Sequence, residues 1–190
     1  MTQASKTPIR ISTPLTEDKA RSLNAGDEVL ISGSILTGRD AAHKRLVETL
    51  QKEGKLPVSL DGEVIYFVGP SPAKPGQAIG SAGPTTSYRM DAYSPDLIYK
   101  AGLRGMIGKG QRNETVIKAM KEKGAVYFVS IGGAAALIAK TIKKATVLLY
   151  PDLGPEAVQR LEVVDFPAIV ATDTKGRSLY DEGPTKYRRS

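Results

Sequence analysis

Apolar and polar positions along this chain change period from segment to segment, and the changes mark out alternating strands and helices. "PIRISTPL" reads as a short strand, and "LTEDKARSLNAGD" as a short polar helix ending at Gly26. "EVLISGSIL", residues 28–36, alternates like a strand, with Gly33 suited to a bulge. From Asp40 the pattern turns helical: Ala42, Leu46 and Leu50 recur every four residues, and Gly54 is a natural stop. "VIYFVG", residues 64–69, is an unbroken apolar run of buried-strand type, followed by the Pro/Gly-rich "SPAKPGQAIG".

The second half alternates more cleanly. "SPDLIYKAG" predicts a short helix, "LRGMIG" a strand, and "RNETVIKAMKEKG" a helix with Asn113 as N-cap, Glu114 in its first turn and Gly124 at its end. "AVYFVSI" predicts a strand, "GGAAALIAKTIKKA" a helix and "TVLLYP" a strand; "PEAVQRLEVVDFPAIVATDTKG" adds a short helix and one more strand. A βαβα rhythm of this kind predicts a single α/β domain with a mostly parallel sheet core. Residues 1–7 and 184–190 read as flexible tails around a domain spanning 8–183, and no internal repeat is evident.

Composition narrows the classes. The chain has 190 residues, of which 41% are hydrophobic, enough for one domain with a real core. No apolar run approaches the roughly 20 residues of a membrane helix. The first residues, "MTQASKTPIRIS", lack the apolar segment of a secretory signal, so a cytoplasmic location is expected. There is no cysteine and one histidine, His43, so neither a disulfide nor a metal centre built by this chain alone is expected. Lys and Arg outnumber Asp and Glu 27 to 20, a balance that favours anionic partners. The basic residues are scattered, and the aromatic content of 6% includes no Trp, so no stacking platform for nucleic acid is evident. Small anions or an acidic protein suit the charge better.

Four turns carry candidate chemistry. "GPTTSYRMD", residues 83–91, places Thr85, Thr86 and Arg89 on one loop; Arg suits planar, bidentate carboxylate binding. The plainer reading is a turn whose threonines cap a helix, although one hydroxyl suffices for a cap. "GMIGKGQRN" sets Lys109 between glycines where a strand hands over to a helix, without the spacing of a P-loop; a solvent-exposed turn lysine is the alternative. Arg39 stands at the end of another strand, with Asp40 opening the next helix, and an ordinary surface ion pair would also explain it. His43, inside that helix, reads as a packing or hydrogen-bonding residue. The Gly132–Gly133 turn permits close backbone approach but equally serves tight helix packing. Together three cations and a threonine pair, each at a strand end, can converge on a small molecule with two carboxylates.

"TGRDAAHKR", "GPTTSYRMD", "GMIGKG", "GGAAAL" and "DFPAIV", in this order, resemble the β subunit, or C-terminal domain, of class I iron–sulfur fumarases and the related L-tartrate dehydratases, from about Pro8 to Gly183. The resemblance implies a swivelling β/β/α domain and reversible hydration of fumarate to S-malate. It implies a [4Fe–4S] cluster carried by a cysteine-bearing α subunit and not by this chain, so that the chain works as the substrate-clamping half of a hetero-oligomer, inactive alone. By the same resemblance Arg39 grips a substrate carboxylate, Thr85 is the base toward C3 of malate, Thr86 and Arg89 bind substrate, and Lys109 contacts it too. An unperturbed hydroxyl is a poor base at neutral pH, so a threonine base needs nearby cations or a relay. The "RMD" ending and "GGAAAL" look more like fumarase than tartrate dehydratase, whereas Tyr88 stands where fumarases usually carry a smaller residue. A non-catalytic dicarboxylate-binding module and a basic nucleic-acid-binding domain are the competing classes. An enzyme half of this kind also implies an apolar docking patch for its partner.

Overall fold

The structure is a computed structural model and describes residues 7–130 and 135–187. Seven strands form one sheet in the order β1-β2-β3-β4-β5-β7-β6, and an additional β2–β7 pairing closes it into a small barrel-like ring. The strands are β1 (Ile9–Ser12), β2 (Glu28–Thr37), β3 (Val64–Tyr66), β4 (Gly105–Gly108), β5 (Val126–Val129), β6 (Ile142–Leu149) and β7 (Val158–Thr172). The helices are α1 (Glu17–Ser22), α2 (Asp40–Glu53), α3 (Ser94–Ala101), α4 (Glu114–Lys123), α5 (Ala135–Thr141) and α6 (Leu179–Tyr187). Neighbours from β1 to β5 run parallel. The long β7 runs antiparallel to β2, β5 and β6. The expected parallel core is therefore present, but a single antiparallel strand turns it from a layer into a ring.

Alternation of side chains explains both faces. Ile65, Phe67, Met106 and Tyr127 pack with Leu46 of α2, Leu97 of α3 and Met120 of α4. Their neighbours Val64, Tyr66, Ile107, Val126 and Phe128 point the other way, into the ring, where they meet Ile31, Ile35, Leu161 and Phe166. Strands buried on both faces read as continuous apolar runs, which is why "VIYFVG" and "AVYFVSI" lack a polar alternate. Each such large side chain contributes about 1.5–3 kcal/mol by leaving water.

Local signals explain the element ends. The Asn113 side chain accepts from the Val116 amide and so caps α4, while Gly124 and Gly54 close α4 and α2 in the left-handed conformation. The register of β2 against β7 shifts between Ile31 and Gly33, the expected bulge.

Four expectations need correction. The α1 helix stops at Ser22, short of Gly26. The helix expected through "IAKTIKKA" ends at Thr141, because residues 142–145 join β6 and pair with β7. The helix expected in "PEAVQRL" is instead a 3₁₀ turn at Pro151–Glu156 followed by β7, whose first half lies between β2 and β6. At the far end, α6 carries helix past Gly183 into the stretch expected to be a tail. Among the described residues no helix is long and apolar enough to cross a membrane.

Candidate functional site

Because β2, β3, β4 and β5 are parallel neighbours, their carboxyl ends share one edge of the ring. Crevices at such edges collect ligand groups, since several loops and helix starts converge there. Arg39 follows β2, and Lys109 follows β4. The threonine loop comes back to the same edge. The Thr85 amide donates to the Phe67 carbonyl just beyond β3 at 2.6 Å, and the Ser87 amide donates to the Lys109 carbonyl at 2.8 Å. Thr86 and Lys109 consequently face each other as a parallel bridge. The loop acts as a short extra strand laid across the ends of β3 and β4.

Arg39 and Arg89 are joined through an acid. The Asp40 carboxylate lies 2.9 Å from Arg89 Nε and 3.8 Å from an Arg39 terminal nitrogen. Glu156, from the 3₁₀ turn before β7, approaches the same Arg39 nitrogen at 3.3 Å. Arg39 Nε is buried without a hydrogen-bond partner among the described residues. Gly69 makes room for it: a Cβ there would lie 2.8 Å from the Arg39 guanidinium. The Arg39 side chain is 24% exposed and that of Arg89 42%, and Lys109 is exposed.

The threonines do not serve as caps. Thr86 stands at the N-cap position of the 3₁₀ turn Ser87–Met90, yet its side chain makes no capping hydrogen bond. Neither the Thr85 nor the Thr86 hydroxyl has a hydrogen-bond partner among the described residues. Both are partly exposed. The fold therefore brings Arg39, Thr85, Thr86, Arg89 and Lys109 to one edge. The Gly132–Gly133 turn lies outside the described residues.

His43 is a core residue, as its position within α2 suggested. It is fully buried, its Nδ1 lies 2.9 Å from the Arg39 carbonyl, and its ring packs edge-on against Phe67. Burial pushes its pKa down to about 4, with nearby Arg112 adding to the effect, so the ring is neutral at pH 7 and Nδ1–H donates to Arg39. The histidine thus helps hold the backbone from which Arg39 projects.

A layer of polar residues beneath the edge went unnoticed in the sequence. The Lys109 amide donates to Ser87 Oγ at 3.1 Å. Ser87 and Tyr127 hydroxyls lie 2.8 Å apart, and the Tyr127 hydroxyl donates to the Gly110 carbonyl at 2.8 Å. The Gly110 amide in turn donates to the Tyr180 hydroxyl at 2.9 Å. Burial raises the Tyr127 pKa, so that hydroxyl stays protonated. Gly108 is required below this chain, because a Cβ there would sit 2.0 Å from Ser87 Oγ. Deeper still, the Arg112 side chain is 0% exposed and pairs with Asp91 at 2.6 Å. Asp91 closes one loop motif and Arg112 stands one residue before the end of another, and no spacing rule connects them.

Known proteins resemble this chain over most of its length. A family model described as the fumarase C-terminus matches residues 1–183. The chain is 39% identical over 185 residues to a putative class I fumarate hydratase of Geobacillus stearothermophilus, an alignment covering 95% of this chain and 35% of that one. It is 40% identical over 153 residues to the aerobic class I fumarate hydratase of Escherichia coli K12, covering 80% of this chain and 28% of that protein. To a putative L(+)-tartrate dehydratase subunit beta of Methanocaldococcus jannaschii it is 39% identical over 173 residues, covering 88% of this chain and 89% of that subunit. The chain thus spans about a third of the length of these fumarate hydratases and most of the dehydratase subunit. With a family model over nearly its whole length and relatives of this similarity, the chain belongs to the fumarase C-terminus family.

Proposed function

We propose that this chain is the substrate-clamping half of an iron–sulfur hydro-lyase that adds water reversibly across fumarate to give S-malate. The observation that carries the reading is the convergence of three cations and two threonine hydroxyls, unpartnered among the described residues, on one strand edge. Arg39 and Arg89 are suited to take a carboxylate each or to share one, since each guanidinium offers several donors in one plane. Lys109 adds a compact positive charge. A net charge of +7 draws a dianion toward this edge.

In the dehydration direction Thr85 removes the proton from C3 of malate and the hydroxyl leaves C2. In hydration the same hydroxyl returns that proton. The cations around the threonine pair favour its alkoxide and so bring its basicity into reach. The chain has no cysteine, and no cluster of three or more His, Cys, Asp or Glu side chains among the described residues can hold a metal ion. These residues therefore do not fit a cluster. We assign the [4Fe–4S] cluster to a cysteine-bearing α partner, where it would supply Lewis acidity toward the departing hydroxyl. Tyr88, 68% exposed beside Arg89, and Leu137, 64% exposed on α5, offer apolar contacts to such a partner. The closed ring with α2, α3 and α4 on one face suits a swivelling β/β/α domain.

A second reading, L-tartrate dehydration, is favoured by the Methanocaldococcus jannaschii relative, which this chain matches over most of its length. The same residues would clamp tartrate, whose two carboxylates are spaced as in malate. Anaerobic reconstitution with a cysteine-bearing partner and an assembled cluster decides between them. The expected result is hydration of fumarate that requires both chains, with slower dehydration of L-tartrate. Preference for tartrate would replace the substrate. No turnover of either, with the cluster intact, would overturn the enzyme reading in favour of a dicarboxylate-binding module.

A further inference from the structure

A fully buried arginine is rare, and Arg112 is held on every side. Its Nε donates to Asp91 Oδ1 at 2.6 Å, one terminal nitrogen donates to Ser94 Oγ at 2.7 Å, and the other lies 3.2 Å from the Met106 sulfur. Its guanidinium stacks against the rings of Phe67 and Tyr127, at 5.1 and 5.2 Å from their centroids. Desolvation lowers its pKa and the Asp91 carboxylate opposes that shift.

Each of these partners is tied to the site. Phe67 supplies the carbonyl that holds the Thr85 amide. Tyr127 supplies the hydroxyl that reaches both Ser87 and Gly110. Asp91 ends the 3₁₀ turn that carries Arg89, and its second oxygen accepts the Asn113 amide at 2.8 Å, where α4 begins. Ser94 Oγ donates to the Met90 carbonyl while accepting from Arg112. The segments 85–91 and 109–113 are thus pinned together twice: at the Ser87–Lys109 end by hydroxyls, and at the Asp91–Asn113 end by a charge pair.

We propose that Arg112, through its cluster with Asp91, Ser94, Phe67 and Tyr127, is a positioning residue that sets the distance of Thr85, Thr86 and Arg89 from Lys109. The inference rests on the hydro-lyase reading for its kinetic consequence, not for its geometric one. A lysine cannot replace this group: it has one nitrogen where the site has acceptors in three directions, and no plane to stack between two rings. Small losses of alignment are costly, since a shift of about 1 Å in the reacting geometry can cost about 10²-fold in rate.

The test is Arg112→Lys in the full chain, assembled with its partner, with Ile11→Val on β1 as a destabilised control whose strand borders none of the site turns. Amide hydrogen exchange is the first readout. Segments 85–91 and 109–113 should exchange at least about 10-fold faster in Arg112→Lys, with β2 and β7 unchanged. The second readout is turnover per folded complex, which should fall by about 10²-fold in kcat, whereas Ile11→Val retains the wild-type kcat. If Arg112→Lys does not fold, Ser94→Ala removes one acceptor of Arg112 together with the hydroxyl's bond to the Met90 carbonyl, and should show the same pattern at smaller size. Exchange that rises evenly over the whole sheet, or an unchanged kcat in the folded variant, would reduce Arg112 to a general stabiliser and overturn the proposal. If wild-type complex lacks hydro-lyase activity, the functional reading falls and the exchange pattern alone decides the positioning claim.

Discussion

The rim and the floor of the strand edge use the same chemical groups to opposite ends. On the rim, Arg89 reaches Asp40 at 2.9 Å with its side chain 42% exposed. On the floor, Arg112 reaches Asp91 at 2.6 Å with its side chain 0% exposed. An exposed pair is worth little, because water competes for both ions and the long side chain loses entropy when fixed. A buried pair cannot be given up, because the surviving ion is stranded away from water. The difference teaches which residues are free to change partners. On the proposed reading, rim cations leave Asp40 or Glu156 for a substrate, whereas floor groups hold the loops that present them.

Removing the floor charge should have the largest effect on stability. Arg112→Met leaves Asp91 uncompensated and is expected to cost about 3–5 kcal/mol in denaturant unfolding. Adding Asp91→Asn to that variant should recover part of the loss. An Arg112→Met protein as stable as wild type would erase the contrast between floor and rim.

Acid should act next. The His43 pKa is about 4 in the folded chain, against an ordinary value of 6.5. Between those values the unfolded chain takes up a proton that the folded one does not, so stability falls as pH drops from about 6.5 toward 4 and is fully present above that window. The total is on the order of 3 kcal/mol. Unfolding titrations of wild type and His43→Leu should therefore converge in slope above pH 7 and differ most between pH 4 and 6.5. Parallel curves throughout would contradict the burial of a neutral imidazole.

Gly108→Ala sharpens the comparison between backbone and side chain on the floor. Its methyl would overlap Ser87 Oγ and crowd the Phe67 ring at 2.8 Å. The expected loss is about 1–3 kcal/mol, typical of overpacking, together with weakened contact between the threonine loop and the Lys109 turn. A melting curve and exchange at the Lys109 amide would read both. Smallest on stability are the rim substitutions: Arg89→Ala and Lys109→Ala should change it by less than about 1 kcal/mol while weakening dicarboxylate binding in the assembled enzyme.

The sequence made the rim legible and left the floor hidden, for a physical reason. Rim residues lie in short turns punctuated by Gly and Pro, where local spacing already signals a site. Helices α2 and α4 were also legible, since Leu46, Leu50 and the Asn113 cap announce them within one segment. The Arg112–Asp91 pair spans 21 residues and exists only because β4 and the threonine loop meet. The first part of the closing strand β7 was missed for a related cause. "PEAVQRL" is rich in helix formers, but its backbone finds partners on β2 and β6, distant in sequence, and tertiary pairing overrides propensity. Glu156, beside Arg39, was hidden with it.

The central claim is that rim residues act in the chemistry and floor residues hold them, and Thr85→Ala in the reconstituted complex tests it most directly. The account predicts a fall of about 10²–10⁴-fold in kcat for fumarate hydration, with unfolding midpoint, partner assembly and substrate affinity close to wild type. Wild-type turnover in Thr85→Ala, or a loss of turnover that merely follows a loss of folded protein, would contradict it.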